Sequence, residues 1–145
     1  MNDRERFLAE LGIEALNASL AMLGHQPIEE NPNVHMVDPV VGEIPNVVVE
    51  KPGVAPLRFL FGRDLDIWVG PYSEVVAAPV REETMVRIQD LITRVLTSEV
   101  LCRYRRKSVE LVLRMPDQNP WLRLKIRGAD LKPTLQPRYE PYAHR

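Results

Sequence analysis

Asp64 and Asp66 stand two residues apart in the run RDLDIWV, and Glu74 follows soon after. In an extended strand, residues two apart project from one face. Carboxylates gathered there divide acid and base work when their surroundings separate their pKa values. Such carboxylates also ligate hard divalent ions. Here the pair follows a turn, where Asp is common and solvated, and no further acids are spaced as in a metal-binding loop. Trp68 falls in the same alternation. An aromatic rimmed by carboxylates is the kind of anchor found at protein interfaces. Asp64, Asp66 and Trp68 are therefore read as a partner-binding patch.

A second set has the opposite charge. Arg103 and Arg105 alternate with apolar residues, and so do Arg123, Lys125 and Arg127. Arg106 and Lys107 fall at the turn between two such runs. Placed on one strand face, these side chains would meet phosphates of nucleic acid or carboxylates of an acidic protein. Arginine pairs bidentately with either group. Trp121 alternates with Arg123 and would add a stacking surface. No nucleic-acid module is present, so protein is the favoured partner and nucleic acid the lesser one.

Other reactive residues lack companions. His25 with Glu29, or His35 with Asp38, would supply only part of a metal site. Cys102 is in phase with Val100 and Tyr104, which reads as a core-facing thiol rather than a nucleophile. Ser73 and Ser108 lack the nucleophile-elbow context. Gly53, Gly62 and Gly70 form no phosphate-binding loop. No catalytic residue, metal or cofactor is assigned.

The two charged sets reflect a split along the whole chain. Residues 1–97 carry 8 Lys/Arg against 15 Asp/Glu, and residues 98–145 carry 11 against 5. The overall formal charge of −1 hides halves of −7 and +6. Such a distribution orients charged partners before contact. The 145 residues are 45% hydrophobic and 27% charged, which suits one globular domain and excludes wholesale disorder or a fibre. No apolar stretch approaches the ~20 residues of a membrane span. The N-terminus is charged early and does not read as a signal peptide. A single cysteine excludes an internal disulfide and favours a reducing cytoplasm.

Two helices and six strands are expected to carry these residues. The first helix covers 3–22, capped by Asp3, with Phe7, Leu8, Leu11, Ala15, Ala18 and Met22 as its apolar stripe. Residues 25–45 hold four prolines and read as a long surface loop. Strands are expected at 46–50, 57–61 and 65–69, the last two as a hairpin about Gly62. A second helix covers about 81–97, with Met85, Ile88, Leu91, Ile92, Val95 and Leu96 buried. Strands near 100–105, 109–115 and 121–127 then form a meander. MPDQNP marks a turn, and residues 129–145 read as an extended C-terminal segment outside the domain at 1–128.

The order α-β-β-β-α-β-β-β gives an α+β fold, with two helices on one face of a curved antiparallel sheet. Over residues 3–127 this order resembles bacterial accessory proteins such as secretion chaperones and toxin-neutralising immunity proteins. That resemblance implies masking or escorting a protein partner. The expected function is thus a small non-enzymatic interaction module that binds by charge complementarity. The alternatives are an enzyme or small-molecule binder with a pocket between helices and sheet, and a weak nucleic-acid binder. A homodimer is also expected, because apolar edge strands need cover.

Overall fold

The computed structural model describes residues 2–37, 44–70, 73–115, 120–127 and 135–144. Helix α1 spans Asp3–Met22 and helix α2 Met85–Leu96. Strands β1 (Val34–Val37), β2 (Asn46–Val49), β3 (Leu57–Phe61), β4 (Asp64–Val69) and β5 (Ser73–Pro79) form one antiparallel sheet in that order. Strands β6 (Glu99–Arg105), β7 (Ser108–Arg114), β8 (Pro120–Arg127) and β9 (Arg138–Tyr139) form a second, ordered β8-β7-β6-β9. The class is α+β, as expected.

The cap of helix α1 is Asn2, one residue before the expected Asp3. The Asn2 side chain accepts the Glu5 N–H at 2.8 Å, and Glu5 reaches back to the Asn2 N–H. This reciprocal cap satisfies two N–H groups left open by the first turn. The buried face is also rotated from the expected stripe. Leu8, Ala9, Gly12, Ala15, Leu16, Ser19 and Leu20 are buried, while Phe7 and Met22 are exposed. The reason is close packing: a Cβ on Gly12 would lie 2.5 Å from Cδ1 of Phe61. The side of α1 that carries small residues is the side that approaches its neighbours.

Helix α2 follows expectation more closely. Ile88, Ile92, Val95 and Leu96 are buried at helical spacing. Its Thr93 hydroxyl lies 3.1 Å from Ser19 Oγ of α1, and both hydroxyls reach the Gln89 carbonyl. The two buried hydroxyls thus satisfy one another where the helices touch.

Two sheets replace the expected curved one, and three strands are additional. Strand β1 lies between Pro32 and Pro39 and is only four residues long, too short to declare a period of two. Strand β5 includes two alanines and ends on proline, which weakens its strand signal. Strand β9 has two residues. Its formation brings the C-terminal segment into the core: Leu135, Tyr139, Tyr142 and Ala143 are buried with the rest. The sequence turn at 116–119 lies outside the described residues.

The two sheets share one core. Val47, Phe59, Phe61, Leu65 and Ile67 from the first are buried together with Val100, Cys102, Leu111 and Leu113 from the second. Strand β5 lies beside β8. Elsewhere a parallel bridge joins Val54 to Glu140, whose N–H donates to the Gly53 carbonyl at 2.9 Å. The faces of both sheets directed away from this core hold the charged sets.

Candidate interaction surface

Register places the basic residues together. Arg103 of β6 lies opposite Glu110 of β7, which lies opposite Lys125 of β8. The next row holds Arg105, Ser108 and Arg127, and the row on the other side holds Leu101, Val112 and Arg123. Side chains across paired strands share a face. Arg103, Arg105, Arg123, Lys125 and Arg127 are all exposed, and Arg106 and Lys107 are exposed at the β6–β7 turn. Val112 is 2% exposed although it lies on this face. Its opposite residues are Leu101 and Arg123.

Few carboxylates meet these cations. Glu110 lies 3.7 Å from Arg123. Among the described residues, Arg103, Arg105, Arg106, Lys107, Lys125 and Arg127 have no carboxylate within 4.0 Å. Clustered like charges repel and are left to solvent and counterions. Glu110 was missed as a member of this surface. Its alternation with Ser108 and Val112 is the signal that could have placed it there.

Trp121 is not part of that face. The register shifts between Leu113 and Arg114, which leaves Trp121 without an opposite residue. Its indole N–H donates to Ser98 Oγ at 2.6 Å, and Arg94 of α2 lies over its ring. The bulge breaks the alternation that sequence spacing assumed, so the indole packs beside the core instead of extending the basic rows.

The acidic set occupies the outer face of the first sheet. Asp64 is exposed, Asp66 half-buried, and Glu74 lies opposite Trp68. Burial first, then the charges of Glu74 and Asp64 and a hydrogen bond with Glu74, raise the Asp66 carboxyl above its ordinary value of 3.8. Trp68 is half-buried rather than freely exposed, and Arg58 lies opposite it on β3. Its indole nitrogen is enclosed and has no acceptor among the described residues.

The raised acid has a consequence for stability. An acid whose pKa is higher in the folded state loses folding free energy as pH rises through that range. Asp66→Asn is therefore expected to raise the denaturation midpoint at pH 7. The gain should shrink as pH falls and vanish once the unfolded carboxyl is also protonated, below 3.8. Denaturant melts at pH 7 and pH 3 check this; an equal gain at both would exclude carboxylate repulsion as its cause.

The remaining candidates are separated. His35 lies 3.6 Å from Glu50, while His25 packs against the Tyr142 ring with centroids 4.8 Å apart. His144 is exposed. The described residues contain no group of three His, Cys, Asp or Glu able to hold a metal. Cys102 is buried, and burial pushes its thiol up to about 11, so it is protonated and unreactive near neutrality. His35 and Asp66 stand on strands separated by β2 and β3.

A cleft of about 460 Å³ opens beside the start of α1. Arg4, Arg63 and Arg81 line it together with Glu5, Asp64 and Glu83, so its charges are mixed. Arg63 lies 3.7 Å from Glu5, and Arg4 lies 3.0 Å from Glu82. A smaller hollow of about 200 Å³ lies over β2 and β3, lined by Val48, Pro56 and Arg58 among others. Among the described residues, no helix is long and apolar enough to cross a membrane.

No family model, curated protein or solved structure matches this chain. The functional reading therefore rests on its own surface chemistry.

Proposed function

We propose that this protein is a non-enzymatic interaction module that binds another protein by charge complementarity. The supporting observation is the cluster of exposed cations on β6–β8, most of them without a carboxylate neighbour among the described residues. A partner bearing carboxylates would relieve their mutual repulsion and gain a steered approach. Arg103, Arg105, Arg123, Lys125 and Arg127 would carry this contact. Asp64, Asp66 and Trp68 would form a separate acidic contact on the first sheet. A lone buried thiol suits a reducing cytoplasm as the place of action.

The test is affinity capture from source lysate with the wild type and with Arg105→Glu/Arg127→Glu, quantified by mass spectrometry. Both positions are exposed, so the substitutions leave the core untouched. One stoichiometric protein should be retained by the wild type and reduced about tenfold or more by the variant. Equal retention by both would remove the basic face from the interaction.

A further inference from the structure

We propose that the basic face of β6–β8 is a track for an extended acidic segment of the partner protein. This rests on the interaction reading above and specifies its chemistry. Arg103 and Arg105 stand on β6, and Arg123, Lys125 and Arg127 stand on β8, with β7 between them. Two inter-strand spacings separate the cationic rows by about 10 Å. Successive cations within each row are two residues apart, about 7 Å along the strand. A fully extended peptide repeats its side chains on each flank at the same period of two. Lying along β7, a run of consecutive Asp or Glu residues presents carboxylates to both rows in step. Arginine receives such carboxylates bidentately.

The floor between the rows distinguishes peptide from nucleic acid. Ser108 and Glu110 lie there on β7, with Arg123 holding Glu110 at 3.7 Å. Glu110 puts acceptor oxygens and a negative charge in the middle of the track. A peptide backbone carries an N–H at almost every residue to meet them. A phosphodiester backbone carries further acceptors and charge, and Glu110 repels it. Single-stranded nucleic-acid sites also use aromatic stacking platforms. Tyr104 instead engages the Leu135 backbone through its hydroxyl, and Trp121 is turned to Ser98 and Arg94. The track therefore suits carboxylates on a polypeptide.

Fluorescence anisotropy with the full chain tests this with two labelled peptides of one composition. One holds six consecutive glutamates flanked by serines; the other alternates glutamate with serine, which puts every carboxylate on a single flank when extended. The consecutive peptide should bind about tenfold more tightly, a difference lost in Arg105→Glu/Arg127→Glu. Glu110→Gln should narrow the preference for this peptide over a thymidine oligonucleotide of equal charge, because the charge that repels phosphate is gone. Circular dichroism of each variant confirms folding. Equal affinity for both peptides would overturn the track, and so would tighter binding of a thymidine oligonucleotide of equal charge. If neither peptide binds while affinity capture still yields a protein lost on charge reversal, the acidic-segment inference fails and the broader interaction reading stands.

Discussion

Replacing Arg114 and Arg138 together with methionine is expected to remove about 3–5 kcal/mol of folding stability. Glu99 explains the size of the effect. Its side chain is 8% exposed, and both arginines reach it from more open positions. Arg114 of β7 donates through its guanidinium to Glu99 Oε1, and Arg138 of β9 lies 3.0 Å from Oε2. Methionine retains much of the aliphatic bulk but removes both donors. The buried carboxylate is then left without compensation, which costs more than the original pair contributes. Glu99→Gln alone should cost less, because it leaves two solvated arginines and a neutral acceptor. Added to the double variant, Glu99→Gln should restore part of the loss. Urea denaturation of the four proteins checks this cycle. No recovery on adding Glu99→Gln would show that the buried charge is not the cause.

The second large effect is Phe61→Ala, expected to cost about 3–5 kcal/mol. Phe61 is fully buried, and its ring fills the space opposite Gly12 of α1. Gly12 gives the position a distinctive coupling. Gly12→Ala alone gains about 1 kcal/mol of helix propensity but drives a methyl into the ring, at about 1–3 kcal/mol. The single substitution should therefore be destabilising. In the Phe61→Ala background the ring is gone, and the added methyl both fills space and favours the helix. Gly12→Ala should then stabilise the protein. Thermal and urea melts of both singles and the double report this reversal of sign. If Gly12→Ala destabilises both backgrounds equally, close approach to Phe61 is not its cause.

The same two sites mark how far the sequence was legible. Strands β3 and β4 were readable because Leu57, Phe59 and Phe61, then Leu65, Ile67 and Val69, alternate beside Gly62. Helix α2 was readable from one continuous apolar stripe. The face of α1 was not, because burial there follows small residues that permit close approach rather than the largest apolar ones. Glu99 was equally hidden. Its partners lie on β7 and β9, and only the sheet register brings Arg138 to it.

The candidate surface was half legible. The period of two correctly placed Arg103, Arg105, Arg123, Lys125 and Arg127 on one face. It failed at Trp121, where a bulge interrupts the alternation. It was also incomplete for Trp68: alternation puts the residue on the outer face but does not reveal that its indole nitrogen is enclosed. Glu110 was overlooked although it alternates with Ser108 and Val112 on the middle strand of the expected meander.

Under the proposed function, charge on β6–β8 drives association with a protein. Its most direct measurement is the affinity for the captured partner across salt, for the wild type and Arg105→Glu/Arg127→Glu. From about 50 to about 300 mM salt, the wild-type Kd should weaken tenfold or more, while the variant should bind weakly with a shallower slope. A wild-type affinity that stays flat across salt and survives both substitutions would contradict the account.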